Sequence, residues 1–322
     1  MTAASFQKLK ELLSDKSNSL PAFPARLLNG RGGKAPGFAD LNIDFYPPLI
    51  FATIYCKYSD AEIAEMTSVL NELFSGCPIL IQDRSIRPAV TRLSEGDIPD
   101  EMIIAEAGLK FFLHPFRGQN PGFFPDMRTG RELIRERVAL MKTADGGSTE
   151  IAEITVLNLF AYTCALSAVA LSAGASRVVN IDKNRRSLDI GKRNHRLNHD
   201  RIPGGYNGQA KFLPHDIFKS IGKLKKEGPY NIIIADPPPS QKGSFLMLKD
   251  YPRLLRRLPE MLKPGGLLML TQNSPGWSWE DFETMIIENL PDFTELRRIQ
   301  PPEDFAPVED GRGLKIIIAN RC

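Results

Sequence analysis

An aspartate followed by three prolines is the segment whose residue types point most directly to chemistry. The apolar run Asn231-Ile232-Ile233-Ile234-Ala235 passes directly into Asp236-Pro237-Pro238-Pro239-Ser240. Such a run is typical of a central parallel strand, and prolines end a strand because they have no N–H to donate. A carboxylate at this point, followed by rigid carbonyl groups, can hold an exocyclic amino group of a substrate. The prolines are also consistent with a stiff strand terminator and nothing more.

Two further aspartates follow predicted strands at positions that suit a nucleoside. Asp182 ends the run 177–181, about 20 residues after an earlier strand-to-helix loop, which is where an acidic residue accepts the hydroxyls of a ribose. Asp216 follows the run 209–213 and can accept a hydrogen bond from an adenine amino group. The alternatives are a solvated Asp182 and an Asp216 that only caps the helix beginning at Ile217.

That earlier loop, 158–165, joins a predicted strand to a helix N-terminus. Free backbone N–H groups and the helix dipole favour an anionic group there. The loop contains no GxGxxG pattern, which disfavours a dinucleotide site. A simple tight connection is the alternative.

Other candidate sites are weaker. His195 and His199 have the i, i+4 spacing of zinc ligands but lack an evident third ligand, so we expect no metal. The glycine run 29–34 resembles a phosphate cradle but lacks the preceding strand and following Lys-Ser/Thr of a P-loop, which favours an ordered surface arm. Trp277 and Trp279 can stack a base, although packing at a helix start explains them equally.

Basic residues concentrate between Lys183 and Lys226, where twelve Lys and Arg face three acidic residues. A nucleic-acid phosphate backbone would use such a band. A solvated helix surface is the alternative.

These candidate residues need a sheet to position them, and the pattern from residue 154 onward predicts one. Strands are expected at 155–159, 177–181, 209–213, 231–235, 266–271 and 314–319, with helices at 165–173, 186–198, 251–262 and 279–289. This alternation indicates parallel βαβ units in an open α/β sheet. Ligands bind such sheets at the carboxyl ends of the strands.

The preceding residues predict a smaller α/β domain. We expect an N-terminal arm over 1–48, a small α/β domain with a hairpin over 49–128, and the larger domain over 129–322. In the small domain a strand at 49–55, a helix at 61–74 and a strand at 78–82 precede the hairpin at 102–114.

Composition excludes several protein classes. The 322 residues carry 42% hydrophobic and 25% charged residues with a net charge of +3, which is typical of a globular protein. No apolar run reaches the about 18 residues of a membrane span, and the first residues have no apolar signal region. The four cysteines (Cys56, Cys77, Cys164, Cys322) form no CxxC pair. We therefore expect reduced thiols and a cytoplasmic protein.

Taken together, the segments resemble class I S-adenosyl-L-methionine-dependent methyltransferases. The closest resemblance is to the bacterial 23S rRNA large-subunit methyltransferases that make 5-methylcytosine or, in the K/L type, 7-methylguanosine. Residues 106–111 (EAGLKF) and 119–128 (QNPGFFPDMR) are similar to the family's "GLKF…TGFFLDxR" lead-in, and 158–163 (NLFAYT) to its "LNLFsYTG" loop. The resemblance covers about residues 100–322 and implies a Rossmann-like sheet.

The resemblance also implies roles for individual residues. Those lining the methionine and ribose side of S-adenosyl-L-methionine would be Asn158, Phe160, Tyr162, Thr163 and Cys164. Asp182 with the adjacent Lys183 would hold the ribose, Asp216 the adenine, and Asp236 the edge facing the substrate. The lead-in residues Phe124, Asp126 and Arg128 would close the cofactor pocket.

Three positions depart from the family pattern. Cys164 stands where the family has glycine, and Pro239 stands where relatives often carry an aromatic, Thr or Lys residue. The 5-methylcytosine members carry a nucleophilic cysteine where this chain has Gln272-Asn273. Methylation at cytosine C5 needs a thiolate, whereas a ring nitrogen needs only positioning.

The expected activity is therefore methylation of a 23S rRNA base, with a guanine nitrogen favoured over cytosine C5. Asp236, Pro237, Pro238 and Asn273 are the expected catalytic residues. RNA is the expected partner, without a membrane or a metal, and the sequence leaves the oligomeric state open. Alternatives are methylation of a protein or small molecule, and an RNA-associated protein that binds the cofactor without turnover.

Overall fold

The computed structural model describes residues 3–144, 153–239, 245–293 and 295–320. Ser240 and Cys322 lie outside these described residues. The chain forms two compact units, Met1–Pro125 with Glu303–Glu309, and Asp126–Pro302 with Asp310–Cys322. We call them unit 1 and unit 2 and describe each by itself.

Unit 1 is built on a five-stranded sheet with the order β1-β2-β3-β4-β5. Its elements are α1 (Ala3–Ser17), β1 (Ala25–Asn29), β2 (Leu41–Tyr46), β3 (Leu49–Ile54), α2 (Asp60–Leu73), β4 (Ile79–Asp83), β5 (Val90–Glu95) and the hairpin β6 (Met102–Glu106)–β7 (Leu109–Leu113). Of the four strand pairings in the sheet, only β3 with β4 is parallel.

The core of unit 1 lies between this sheet and its two long helices. Leu9 and Leu13 of α1 and Met66 and Leu70 of α2 are fully buried against strand residues such as Ile43. The start of α2 is fixed by a capping box, in which Ser59 and Glu62 satisfy each other's backbone N–H groups.

The N-terminal arm expected over residues 1–48 contains the first two strands of the unit 1 sheet. Strands β1 and β2 are almost wholly buried within the sheet. Their polar residues Asn29, Asn42 and Asp44 masked the strand pattern, because they break the apolar alternation on which the prediction depends.

Unit 2 contains a seven-stranded sheet with the order β10-β9-β8-β11-β12-β14-β13. Its elements are α3 (Arg128–Ala144), β8 (Thr155–Leu159), α4 (Ala165–Ser172), β9 (Arg177–Ile181), α5 (Arg185–Leu197), β10 (Ala210–Leu213), α6 (Ile217–Glu227), β11 (Tyr230–Ala235), α7 (Met247–Leu255), β12 (Leu262–Gln272), α8 (Trp279–Asn289), β13 (Glu295–Ile299) and β14 (Lys315–Asn320). Strands β8 to β12 are parallel, and β14 is antiparallel to both β12 and β13.

The expected α/β architecture is confirmed, and one helix is corrected. Strands β8 and β9 and helix α8 have the predicted boundaries. The helix predicted over 251–262 instead spans Met247–Leu255, and a short 3-10 turn follows at Leu258–Glu260. Strand β12 begins at Leu262. The last apolar residues of the predicted helix therefore belong to the turn and to the start of the strand rather than to a longer helix. Within the described residues no helix is both long and apolar enough to cross a membrane.

Candidate active site

Most of the predicted site residues of unit 2 lie near the carboxyl ends of strands β8 to β12, and the chain order of the sheet reverses between β8 and β11. Strand β8 lies between β9 and β11, and β11 also pairs with β12. Leu159, Ala235 and Leu270 are register neighbours near the carboxyl ends of β8, β11 and β12. A reversal of this kind leaves a crevice beyond the strand ends, where open α/β sheets bind ligands.

The loop after β8 holds three non-glycine residues in the left-handed backbone region. Phe160, Tyr162 and Cys164 have φ values of 57°, 46° and 61°. Such residues carry strain that the surrounding fold must hold, and they concentrate at functional sites. The loop is held by a bond of 3.0 Å from the Ala161 N–H to the Ile181 carbonyl and by the edge-on packing of Phe160 against Phe245 at 5.2 Å. These two contacts hold the loop in this shape.

Asp182 ties this loop to the end of β9. One carboxylate oxygen accepts the Tyr162 N–H at 2.9 Å and the other accepts the Asn184 N–H at 2.7 Å. Burial raises the pKa of Asp182, although these two N–H groups act to lower it. Each carboxylate oxygen has a second lone pair, so the side chain can still accept the two hydroxyls of a ribose. The donor and acceptor chemistry at this position fits a nucleoside cofactor.

Asp216 has the capping role that the sequence left open beside adenine binding. Its side chain caps α6 by accepting the Lys219 N–H at 3.1 Å, and it forms an ion pair of 2.8 Å with Lys183. Burial acts to raise the pKa of Asp216, but hydrogen bonds from Lys183 and Lys219 outweigh it and the pKa is lowered. Lys183 and Asp216 therefore lie together, just beyond the ends of β9 and β10.

Asn158 and Thr163 have internal partners. The Asn158 amide donates to the Asn180 side chain at 3.0 Å, and both residues are buried at paired positions of β8 and β9. The carbonyl of Thr163, also buried, accepts a bond of 2.9 Å from the Asn194 side chain of α5. Both residues stabilise the loop through these internal hydrogen bonds. The sequence pattern predicted only cofactor contact for them and did not indicate this structural role.

Cys164 is the N-cap residue of α4 and is wholly buried. A Cβ atom added to Gly191 of α5 would lie 2.4 Å from the Cys164 Sγ atom. The absence of a side chain at Gly191 therefore makes the space for a thiol where the family pattern has glycine.

Asp236 lies at the end of β11, and Thr271 of β12 donates a hydrogen bond to its Oδ1 atom. The carbonyl of Thr271 accepts a bond of 3.0 Å from the hydroxyl of buried Tyr251. Burial raises the pKa of Asp236 to about 6; the bond from Thr271 opposes this change and the nearby charge of Asp126 reinforces it. Near neutral pH this carboxyl group is mostly ionised yet close to its titration range.

The remaining predicted residues divide by location. Pro237 is buried, Pro238 is partly buried, and Asn273 is exposed one residue beyond β12. Asp126 and Arg128 lie at the start of α3 in unit 2, whereas Phe124 belongs to unit 1 and is 38% exposed.

Several residues that shape this site were not singled out from the sequence. Tyr251 appeared only as the first residue of a predicted helix, and Asn180 as a strand residue. The register of two adjacent parallel strands could have paired Asn180 with Asn158. No sequence signal predicts the proximity of Asp126 to Asp236.

None of the three described cysteines is poised as a nucleophile. Burial raises the pKa of each thiol: to about 11 for Cys56, where Asp40 contributes, and well above its usual value for Cys164. Only the thiolate attacks a base.

Buried His195 has a pKa lowered to about 4 by its burial, and its Nδ1 lies 2.8 Å from the Gly191 carbonyl. No cluster of three or more metal-ligating side chains occurs among the described residues.

The chain is similar in sequence to proteins named as ribosomal RNA large subunit methyltransferases. A ribosomal RNA large subunit methyltransferase I of Aeromonas salmonicida is 26% identical over 247 residues, covering 73% of this chain and 58% of that protein. The Enterobacter sp. protein of the same name is 25% identical over 293 residues, with coverages of 86% and 68%. The chain thus spans little more than half of the Aeromonas relative.

Solved structures show the same fold. A SAM-dependent methyltransferase from Streptococcus mutans superposes with a TM-score of 0.82 at 23% identity, covering 99% of this chain and 82% of that one. A methyltransferase complexed with SAH superposes with a TM-score of 0.81 at 23% identity, with the same coverages. The sequence profile of the S-adenosylmethionine-dependent methyltransferases matches residues 25–320. The chain belongs to the S-adenosylmethionine-dependent methyltransferase family.

Proposed function

We propose that this protein methylates a guanine nitrogen in 23S rRNA, using S-adenosylmethionine. The observation that carries the proposal is the Asp236 carboxylate at the end of β11, held by Thr271, with no reactive thiol among the described residues around it. The names of the relatives support a large-subunit rRNA substrate. The basic band over 183–226 is consistent with RNA contact, although Lys183, Lys192, Lys211 and Lys225 each form an ion pair within the chain.

The cofactor would be held at the ends of β8, β9 and β10. Asp182 would accept the ribose hydroxyls with its remaining lone pairs, and the fixed loop at Phe160 to Cys164 would line the methionine side. Asp216 with Lys183 would border the adenine, and Asp126 and Arg128 would close the pocket. When bound, S-adenosylmethionine supplies an electrophilic methyl carbon on a sulfonium, from which a base nitrogen displaces the thioether.

Asp236 would orient the base. Thr271 occupies Oδ1, so Oδ2 is the acceptor for an N–H group of the guanine edge. The rigid Pro237-Pro238 backbone would hold its carbonyl groups at the same edge, and exposed Asn273 would donate to the base. Alignment of nucleophile and electrophile is the main contribution that such a site makes, because positioning alone can supply several kcal/mol, about 7–11 in the best cases.

The described thiols argue against cytosine C5 as the target. Attack on cytosine C6 needs a thiolate, and Gln272-Asn273 replaces the family cysteine. Cys164 is buried in the loop after β8 with a raised pKa.

The test is a transfer assay with radiolabelled S-adenosylmethionine. The purified protein is incubated in parallel with bacterial rRNA lacking modifications, total protein and a metabolite extract, and labelled RNA is digested for nucleoside mass spectrometry. Label in 23S rRNA as a methylated guanosine is the expected result, with Asp236→Asn as the inactive control. Label found as 5-methylcytosine, or only in protein or metabolites, would overturn the proposal.

A further inference from the structure

Helices α6 and α7 of unit 2 each carry a row of three exposed basic residues. The rows are Lys219, Lys223 and Lys226 of α6, and Lys249, Arg253 and Arg256 of α7 and its C-cap. Within each row the spacing is four and then three residues, which places the side chains on one face of a helix. The buried residues of each helix, such as Leu224 and Leu255, fall outside these rows, so both rows face solvent.

The two rows lie beside each other. The Cζ atom of Arg253 lies 4.5 Å from the centroid of the Phe218 ring of α6, and Lys225 of α6 forms an ion pair of 2.9 Å with Glu260 just after α7. Helix α6 begins after β10 and α7 begins after β11, so the first residue of each row lies nearest the carboxyl ends of the strands. Each row spans about 10 Å along its helix. The rows therefore run away from the edge of the sheet that carries the candidate active site.

The acidic residues within and next to these two helices are engaged by groups outside the rows. The ion pairs are Asp216 with Lys183, Glu227 with Arg177 and Lys211, and Glu260 with Lys225 and Arg257. The fourth acidic residue, Asp250, accepts the Leu246 N–H at 2.7 Å. Among the described residues, no member of the two rows forms an ion pair. Six positive charges at this surface therefore have no carboxylate within ion-pair distance in the described chain.

Helix α8 and strand β13 do not cancel this charge. Arg256 donates a hydrogen bond to the Asn289 side chain, so α8 packs beside α7. Residues 279–299 carry six acidic and two basic residues. Counted over 216–227, 247–260 and 279–299, together with the three bases that pair with carboxylates of α6 and its N-cap, the basic residues number 13 and the acidic residues 10. The region is therefore positive even when the acidic residues of its neighbours are included.

Gly222 leaves an open space between the two rows. It lies in α6 four residues after Phe218, whose ring contacts Arg253, and four residues before Lys226, so it shares their side of the helix. A Cβ atom added to Gly222 would meet nothing within 4 Å. Glycine inside a helix costs about 1 kcal/mol relative to alanine, and packing among the described residues does not require it here. A missing side chain at this point lets the backbone of a ligand approach the helix closely.

We propose that the two rows, which we call the α6–α7 surface (Lys219, Lys223, Lys226, Lys249, Arg253 and Arg256), bind the phosphate backbone of the RNA substrate. The inference rests on the proposed function and names the part of the basic band that contacts RNA, with three residues of α7 added to it. Stacking on Phe218 holds the Arg253 guanidinium and leaves its in-plane N–H groups for phosphate oxygens. Contacts of this kind position the RNA and do not select a base.

Fluorescence anisotropy with a labelled, unmodified 23S rRNA transcript tests the surface over a range of salt concentrations. Lys223→Gln, Lys226→Gln and Arg253→Gln should each weaken binding about three- to tenfold at low salt and reduce the slope of log K against log salt by about 1. Lys226→Arg keeps the charge and should bind like wild type. Gly222→Leu should weaken binding severalfold without changing the slope, because it fills the space between the rows and removes no charge. Lys8→Gln, at an exposed position of α1, is the charge-matched control and should change binding by less than about twofold.

Cofactor affinity and methylation of the same transcript separate the outcomes. All variants should bind S-adenosylmethionine like wild type, which reports an intact fold. If wild type methylates the transcript and the three glutamine variants of the rows bind it as tightly as Lys8→Gln does, the α6–α7 surface is overturned and the proposed function stands. If wild type neither binds nor methylates RNA, both are overturned. Equally tight binding of polyglutamate would overturn the assignment of RNA as the partner.

Discussion

At the scale of single residues, Asp236 serves the candidate active site at a cost in folding stability. The folded protein raises the pKa of this carboxyl group from 3.8 to about 6. The folded chain therefore binds this proton more tightly than the unfolded chain does. The stabilising contribution of the protonated group is complete below pH 3.8 and is lost as pH rises through 6.

Replacing Asp236 with asparagine should consequently stabilise the protein and abolish its activity. At pH 8 the free energy of unfolding should rise by about 1–3 kcal/mol, because the charged group is no longer buried, and the gain should be smaller at pH 5. Methyl transfer should fall about 100-fold or more. Denaturant unfolding at both pH values and single-turnover kinetics provide the measurements. Unchanged activity would remove Asp236 from the proposed mechanism.

The two neighbours of Asp236 should shift its titration in opposite directions. Thr271→Val removes the hydrogen bond that favours the carboxylate, so the acidic limb of the kcat/KM profile should move upward. Asp126→Asn removes a like charge, so the limb should move downward. Each shift should be about half a pH unit to one unit. Thr271→Ser keeps the hydroxyl group and is the matched control; shifts of the same sign in the first two variants would contradict this arrangement.

At the scale of elements, the strands and helices predicted best are those whose ends are marked by the hydrophobic pattern or by a capping residue. Strands β8 and β9 and helix α8 were predicted to the residue, because short apolar runs or an N-cap such as Ser278 mark their ends. The family and the cofactor were predicted from the resemblance of the strand-end residues and the lead-in segments 106–111 and 119–128 to known methyltransferases, and both are confirmed. Strands β5 and β13 were missed because their residues are largely exposed at the two sheet edges, where apolar alternation is not needed.

The sequence pattern also did not predict the packing of α5 against the loop after β8. This packing predicts the outcome of a double-mutant experiment. Gly191→Ala should destabilise the protein by about 1–3 kcal/mol, because the new methyl group overlaps the Cys164 thiol. In a Cys164→Gly background the same substitution should be neutral or stabilising, since alanine favours a helix over glycine by about 1 kcal/mol. Thermal and denaturant unfolding of the four chains measures the coupling. Additive effects would show that the two residues do not share this space.

Helix α5 should also make stability depend on pH through His195. The lowered pKa, about 4 against 6.5, means that the unfolded chain binds this proton more tightly. The stabilisation is present above pH 6.5 and is lost as pH falls toward 4. A His195→Phe variant should therefore be destabilised by about 2 kcal/mol less at pH 5 than at pH 7.5. Parallel stability curves for the two proteins would contradict the buried, neutral histidine.

At the scale of the whole molecule, neither unit is continuous in sequence. Residues Glu303–Glu309 belong to unit 1, where Asp304 accepts the Arg26 N–H at 2.9 Å and Val308 donates to Gly32 at 2.8 Å. In unit 2, β14 is inserted between β12 and β13. No local pattern in 303–309 predicts this membership, because the segment forms no strand or helix and its contacts are about 280 residues distant in sequence.

Truncation after Pro302 should therefore damage both units. It removes the partners of Arg26 and Gly32 in unit 1, and it removes β14 with its buried residues Ile316, Ile317 and Ile318 from the unit 2 sheet. We expect the shortened chain to be cleaved rapidly by protease and to lose S-adenosylmethionine binding. A chain ending at residue 320 is the control. Protease-resistant fragments from the shortened chain would show that one unit folds without its second segment.

This interleaving has a consequence for how the protein is made. Domains of a growing polypeptide commonly fold in order, the N-terminal one first, while the ribosome is still translating. Here the first unit to be synthesised lacks part of its structure until residues 303–309 have left the exit tunnel, and the second waits for β14 a few codons later. The nascent chain thus carries a unit 1 without its second segment and a unit 2 sheet without β14 until residues 303–320 have been synthesised.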